Sequence, residues 1–182
     1  MKRVPLLLSF VLISCTSSIL LQPHIDPQDG AKVIDSDAAI FIPSEDLTGE
    51  YEKFNILLGN KVRIPFGTPL KELTQETFAP LFNRVYYTGR RDYEITPYII
   101  EVSISDFEVT TGYDTHLVIK CSVSTSDEVM FSDEFRGSGK GSIITIGDDR
   151  FKQDQIRRSA ENAFIEAFQN MQRAFIDKMN GL

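Results

Sequence analysis

The sequence contains few cysteines and histidines, the residues from which many metal sites and nucleophilic sites are built. Among its 182 residues are two cysteines, two histidines and no tryptophan. The two cysteines, Cys15 and Cys121, are too few to form a disulfide framework. His24 and His116 have no cysteine or carboxylate at ligand spacing, so a zinc site is not expected. The sequence therefore predicts neither a metal nor a cofactor.

Motifs for catalysis and nucleotide binding are also missing. No serine lies in a Gly-x-Ser-x-Gly elbow, and no pair of acidic residues has a spacing that indicates acid–base roles. A phosphate loop is suggested by residues 136–142, which read RGSGKGS, but Glu134 stands where its first glycine belongs. Gly141 also replaces the serine or threonine that should follow the lysine. We interpret these glycines as places where another element crosses a strand closely, and we expect no enzymatic activity.

Basic residues are fewer than acidic residues in this chain. The formal net charge is −7, and the sequence pI is about 4.9. An acidic chain repels both the phosphate backbone of nucleic acids and anionic lipid head groups. We therefore expect no nucleic-acid partner, and a basic patch does not explain any attachment to a membrane.

The one long apolar run lies at the N terminus and is too short to span a bilayer. Residues 4–13 are almost entirely apolar and follow Lys2 and Arg3, which is the layout of a secretory signal peptide. A spanning helix needs about 20 residues. Residues 12–15, which read LISC, resemble the lipobox of bacterial lipoproteins. The resemblance implies cleavage before Cys15, diacylglycerol on its sulfur and acylation of the new amino group.

Lipid on Cys15 is thus the predicted link to a membrane, because two or three acyl chains give stable anchoring. In lipoproteins of proteobacteria, an aspartate after the lipidated cysteine usually goes with retention at the inner membrane. The residue here is Thr16. We therefore expect an outer-membrane protein whose domain faces the periplasm, with exposure at the cell surface as the alternative.

Three segments are predicted along the chain. Residues 1–14 form the signal peptide, residues 15–37 the lipidated cysteine and a flexible tether, and residues 38–182 a globular domain. The tether is predicted from its serines, prolines and glycine and from its lack of periodicity. A first strand over residues 38–42 and a hairpin around Gly59-Asn60 are expected next. A helix should begin at Thr68 and be kinked at Pro80.

The clearest patterns lie in the second half of the chain. Apolar residues alternate over three segments between residues 98 and 135, which predicts an antiparallel meander. A phase change near Ser105 or Asp106 indicates a β-bulge. Cys121 alternates with apolar residues of the second strand, so we expect a buried thiol and not a nucleophile. A wide apolar stripe from about residue 149 to residue 180 predicts a long helix across the sheet.

This order of elements behind a lipobox resembles a group of small outer-membrane lipoproteins. The group includes the lipopolysaccharide-assembly lipoproteins, the YajG-like lipoproteins and the auxiliary lipoproteins of phospholipid-transport ABC systems. The resemblance is carried by IPFG at residues 64–67, by residues 78–85 and 99–104, by the glycines of residues 136–141, and by residues 160–175. It implies an α+β, two-layer sandwich in which a curved, mainly antiparallel sheet carries two helices on one face.

The function that this resemblance implies is binding or assembly without catalysis. The chain is then an accessory or binding component of an envelope transport or assembly system, with a protein partner or a lipid ligand. A structural or surface-exposed interaction lipoprotein is the alternative. No functional residue of these families is transferred here, because the sequence contains no specific functional motif that matches theirs.

Overall fold

The computed structural model describes residues 16–26, 34–55, 60–142 and 149–181. These ranges form a five-stranded sheet, a three-stranded sheet and two longer helices, which confirms the predicted α+β class. In chain order the elements are β1 (Thr16–Ser18), β2 (Ile34–Phe41), α1 (Ser44–Leu47), β3 (Glu50–Asn55), β4 (Asn60–Pro65), α2 (Gly67–Phe78), β5 (Phe82–Thr88), β6 (Tyr98–Val109), β7 (Thr115–Ser124), β8 (Val129–Gly139) and α3 (Asp149–Asn180).

The larger sheet has an antiparallel half and a parallel half. Its strand order is β5-β2-β6-β7-β8. Strands β6, β7 and β8 form the predicted meander, and the register shift between Ile104 and Asp106 confirms the predicted bulge. Strand β2, however, pairs in parallel with both β5 and β6. This parallel half departs from the mainly antiparallel sheet that was expected, because β2 pairs with strands that lie far along the chain.

Helices α2 and α3 pack on one face of this sheet and close the core. Helix α3 covers β7 and β8, as its apolar stripe predicted. Helix α2 begins at Gly67, because the carbonyl of Phe66 already accepts the hydrogen bond of the Leu70 amide at 2.9 Å. The helix therefore begins before Thr68, the residue at which the sequence predicted its start. Pro80 lies in a 3-10 turn, Ala79–Leu81, that ends the helix.

The smaller sheet has the strand order β1-β4-β3. Strands β3 and β4 are antiparallel, as expected for the predicted hairpin, while residues 56–59 lie outside the described residues. Strand β1 runs parallel to β4. Val62 and Ile64 of β4 point into the core and are at most 3% exposed. The small sheet is thus part of the domain, and it includes residues that the sequence assigned to the tether.

The predicted flexible tether over residues 15–37 is wrong for the part of it that the structure describes. Residues 16–18 form β1, and β2 begins at Ile34. Between them, residues 19–26 form an extended segment, here called the strap, whose alternate side chains are buried. Ile19, Leu21 and Ile25 are 4%, 5% and 1% exposed. This period-two burial of apolar side chains holds the segment against the domain.

Two glutamates on the helices hold the strap. The amide of Gln22 donates to Oε1 of Glu161 on α3 at 2.9 Å. The amide of Ile25 donates to Oε2 of Glu76 on α2 at 3.1 Å. Nδ1 of His24 lies 2.9 Å from Oε1 of Glu76, and this hydrogen bond raises the pKa of His24. The strap therefore binds across both helices.

We expect the strap to loosen as the pH rises. Glu76, and more weakly Asp26, raise the pKa of His24 in the folded chain above its ordinary 6.5. The charged imidazole therefore stabilises the docked strap fully below pH 6.5, and this stabilisation is lost as the pH rises through the folded pKa. The effect should be small, because His24 is exposed. Protection of the Ile25 amide from hydrogen exchange, corrected for intrinsic pH dependence, is the measurement.

The matched control is Glu76→Gln. It keeps an acceptor for the Ile25 amide but removes the charge that raises the pKa of His24. Protection of Ile25 should then lose most of its pH dependence around neutrality. An unchanged pH dependence in this variant contradicts the assigned role of Glu76.

Candidate functional site

Two neighbouring parallel strands of the larger sheet, β2 and β5, end side by side. Phe41 at the end of β2 is the register partner of Thr88 at the end of β5. After β2 the chain enters α1 and continues to the helix layer through the small sheet. After β5 it crosses to β6 without a helix.

This crossover, residues 89–97, lies on the sheet face opposite the helices. The hydroxyl of Tyr93 is 2.8 Å from Oγ of Ser124, which follows the core residue Val123. Arg91 lies over the ring of Phe41, whose neighbours Ile40 and Ile42 belong to the core cluster. The connections after β2 and β5 therefore leave on opposite sides of the sheet. Ligands of open sheets usually bind at such a switch point, outside the carboxyl ends of parallel strands.

A cleft of about 690 Å³ lies between these two connections, and we call it the switch-point cleft. One wall is apolar and consists of Phe41, Ile42, Pro43 and Leu47. Leu47 is 43% exposed, which is unusual for a large apolar residue of this domain. The opposite wall follows β5 and carries two guanidinium groups, with the carboxylate of Glu101 beside Arg91. Apolar surface beside a few polar groups is typical of ligand sites.

The two arginines of the cleft differ in how they are held. The guanidinium of Arg91 lies 5.1 Å from the ring centroid of Phe41, and its Nη2 is 2.5 Å from the carboxylate of Glu101. Glu101 also raises the pKa of Arg91, so the group stays charged. Nη2 of Arg90 is 2.8 Å from Asp92, and this side chain is 76% exposed. The Asp92 side chain is only 19% exposed, but the guanidinium of Arg90 is open to solvent, so a ligand anion can bind its remaining donors.

This arrangement suits an amphipathic ligand that has an anionic group. The apolar wall can bury hydrocarbon or aromatic surface, while the fork of donors on Arg90 can bind a carboxylate or a phosphate in bidentate geometry. The lining residues that the structure describes include no histidine or cysteine. Ser44 and Glu45 lie in the cleft, 3.4 Å apart between Oγ and Oε2.

The two cysteines singled out by the sequence have different outcomes. Cys15 lies outside the described residues, so its lipidation stays a prediction. Cys121 lies on β7 and is 2% exposed, which confirms that it is buried. Burial, and secondarily the charge of Glu101, raises the pKa of its thiol. The thiolate is therefore disfavoured, and so is a nucleophilic role.

Cys121→Ala should cost on the order of 1 kcal/mol of unfolding free energy, because it removes a small amount of core packing. Fatty-acid labelling and ligand binding should not change. In the unsubstituted chain, a thiol reagent should label Cys121 only after unfolding. Rapid labelling of the folded protein contradicts the burial of this strand face.

The glycines of residues 136–142 have a packing role, as the sequence predicted. A Cβ atom on Gly137 would lie 1.8 Å from the carbonyl oxygen of Ala163, and one on Gly139 would lie 1.8 Å from that of Ser159. Both carbonyl oxygens belong to the backbone of α3, which crosses β8 at this point. Oγ of Ser159 donates to the carbonyl of Gly139 at 2.8 Å. Close approach of the two backbones therefore explains the glycines.

The two histidines lie apart from the cleft. His116 is exposed on β7, as predicted. His24 lies on the strap, where the fold brings it to Glu76, a carboxylate 52 positions away that sequence spacing did not suggest. In the ranges that the structure describes, no three histidine, cysteine, aspartate or glutamate side chains are grouped to hold a metal. Among the same residues, no helix has the length and apolar character needed to cross a membrane.

Sequence reasoning missed the switch-point cleft because it missed β5. Residues 82–88 directly follow the 3-10 turn at the end of α2, and the sequence predicted no strand there. A signal was present, since residues 85–88 read VYYT and such β-branched and aromatic residues favour strands. Arg90 and Arg91 can be recognised as cleft residues only when β5 is known to lie beside β2.

Comparison with known proteins identifies the fold. No protein-family model matches the chain, and no curated protein is significantly similar in sequence. A solved structure from Xanthomonas campestris, assigned to the DUF330 family, superposes with a TM-score of 0.63 at 9% sequence identity. The match covers 91% of this chain and 98% of that chain. An identity this low shows a shared fold alone.

Two other solved structures match more weakly, with TM-scores below 0.5. One is a protein from Caulobacter crescentus provisionally described as a lipoprotein, with a TM-score of 0.42, 11% identity, and coverage of 64% of this chain and 84% of that one. The other is the PelC dodecamer from Paraburkholderia phytofirmans, with a TM-score of 0.43, 9% identity, and coverage of 76% and 91%. The chain thus has the fold of the Xanthomonas protein.

Proposed function

We propose that this protein is a lipid-anchored bacterial lipoprotein that acts as a non-enzymatic binding component of an envelope transport or assembly system. The observation that carries the proposal is the switch-point cleft, in which an apolar wall faces an exposed arginine. The cleft suits a molecule that is partly apolar and partly anionic. Such molecules are abundant in the cell envelope.

The anchor is supported by the sequence. The basic start, the apolar run and LISC at residues 12–15 form the pattern of a lipobox that ends at Cys15. Outer-membrane placement is proposed because Thr16, and not an aspartate, follows the cysteine. A lipid anchor would confine the cleft to a thin layer beside the membrane, where its ligands are concentrated.

In-cell photo-crosslinking tests the proposal. A photoreactive amino acid replaces Leu47 in the cleft or, as a matched control, Leu20 on the strap, since both side chains are large, apolar and exposed. The full chain is expressed in a Gram-negative host. Leu47 should give a discrete adduct whose partner, identified by mass spectrometry, is an envelope lipid or a component of an envelope transport or assembly system.

The charge of the cleft provides a second control. Arg90→Glu reverses an exposed charge and should abolish the adduct at Leu47 while leaving any product at Leu20 unchanged. Identical products at both positions, or a product at Leu47 that is indifferent to Arg90→Glu, contradict a binding role for the cleft. Digestion of the domain by protease added to intact cells would favour the alternative of a surface-exposed interaction lipoprotein.

A further inference from the structure

The predicted lipid attachment site is bonded directly to a strand of the domain. Strand β1 begins at Thr16, the residue after Cys15. Thr16, Ser17 and Ser18 pair in parallel with Lys61, Val62 and Arg63 of β4. Because one residue of chain spans at most about 3.6 Å, a lipid on Cys15 cannot be far from the small sheet.

Contacts beyond strand pairing also fix this part of the chain. The amide of Ile19 donates to the carbonyl of Arg63 at 2.9 Å. Nε2 of Gln153, near the start of α3, donates to Oγ of Ser17 at 3.1 Å. The strap that follows is held by Glu76 and Glu161. The described residues after Cys15 therefore form no flexible linker between the anchor and the domain.

The pairing also shows which end of the small sheet lies beside the anchor. Thr16 is level with Lys61, one residue from the start of β4, and Lys53 near the end of β3 pairs with Val62. We call this the anchor end, defined by Thr16, Lys53 and Lys61. The strap and α3 run away from the anchor end in the same direction. Ser17 contacts Gln153 near the start of α3, and Gln22, later in the chain, contacts Glu161, about two turns further along the helix.

The charge at the anchor end is compatible with a membrane surface. Strands β1, β3 and β4 carry three basic and two acidic side chains, in a chain with a net charge of −7. Lys61 is 2.7 Å from Glu52 and Lys53 is 3.9 Å from Glu108, so the attraction to anionic lipids is modest. The acidic excess of the chain, which such lipids repel, lies outside these three strands.

We infer that the lipidated protein rests on the bilayer through the anchor end, in one orientation, with α3 leading away from the membrane. This inference rests on the lipidation in the proposed function and adds the surface that faces the lipid. We assign the bilayer as the partner of the anchor end, because the acyl chains on Cys15 would enter it beside Thr16. The C-terminal part of α3 then lies far from the head groups, since Lys178 is roughly 38 Å along the helix from Gln153 at 1.5 Å per residue.

Energy transfer from the protein to the membrane tests this orientation. Full-length lipidated Lys53→Cys and Lys178→Cys variants are each labelled with the same donor fluorophore. They are reconstituted in vesicles of phosphatidylethanolamine with a minority of phosphatidylglycerol and with an acceptor dye on the lipid head groups. Cys121 is buried and should not react with the label. Transfer should be several-fold more efficient from position 53 than from position 178. Lys61→Cys serves as a second anchor-end position if Lys53→Cys does not fold.

A lengthened anchor is the matched control. An insert of about twenty serine and glycine residues between Cys15 and Thr16, beginning with serine, should keep the lipid and give the domain roughly 25 Å of freedom. Transfer from position 53 should then fall towards that from position 178. Equal transfer from both positions in the normal lipidated chain overturns the orientation. Absence of a fatty-acid label on the normal chain instead contradicts the proposed lipid anchor itself.

Discussion

Substitution of Cys15 by serine is expected to abolish fatty-acid incorporation. The sulfur of Cys15 is the nucleophile that the predicted lipobox would offer for lipid transfer, and each buried methylene of an acyl chain would contribute about 0.8 kcal/mol to membrane affinity. The variant should remain in the membrane only as an uncleaved precursor that is held by its N-terminal apolar segment. If another peptidase removes this segment, the product should be soluble. Radiolabelled palmitate and membrane fractionation provide the measurements.

Cys121→Ala is the control for this experiment, because it removes the other sulfhydryl of the chain without touching the lipobox. It should retain its label and its membrane fraction. A Cys15→Ser protein that still carries the label contradicts the lipobox interpretation. A cleaved Cys15→Ser product that still sediments with membranes would show that lipid is not the only anchor.

Gly137→Ala should lower the free energy of unfolding by about 2–3 kcal/mol, which is large for the addition of one methyl group. The added Cβ would lie 1.8 Å from the carbonyl oxygen of Ala163 and 2.9 Å from the amide nitrogen of Ala167. Both atoms belong to the backbone of α3, so the whole helix has to move. Urea denaturation of a chain that begins at Thr16 measures the change.

Gly89→Ala is the matched control, since nothing lies within 4 Å of the Cβ position at Gly89. Its unfolding free energy should change by no more than about 0.5 kcal/mol. Gly139→Ala should behave like Gly137→Ala, because its Cβ meets the carbonyl of Ser159. Equal stability of the Gly137 and Gly89 variants would mean that α3 does not cross β8 as closely as described.

The parts of the fold that the sequence predicted are those in which apolar residues recur periodically over many positions. Helix α3 has 32 residues with one apolar stripe, and β6 and β7 alternate over 12 and 10 residues. Their turns are short, so neighbours along the chain are neighbours in space. The bulge near Ser105 and the buried side of Cys121 followed from the same alternation. Local pattern and final structure agree there.

The parts that were missed depend on partners far along the chain. Parallel pairing of β2 with β5 and β6 joins segments that no local pattern connects. The predicted domain boundary at residue 38 consequently falls inside β2. The strap alternates for only a few residues and contains Pro23, so its burial depends on the groove that α2 and α3 provide. The switch-point cleft exists only through this order of strands.

The hydrogen bond between Gln22 and Glu161 has a consequence for the timing of biogenesis. It joins residues 139 positions apart, and its acceptor lies on the last helix of the chain. Since an exported chain is delivered from its N terminus onwards, the segment after Cys15 emerges long before its binding site on α3 exists. If Cys15 is lipidated as proposed, the modifying enzyme would therefore meet an unfolded peptide during this interval. Once α3 has folded, Thr16 is paired in the finished small sheet, so late folding of the C terminus would keep the N terminus available for the proposed processing.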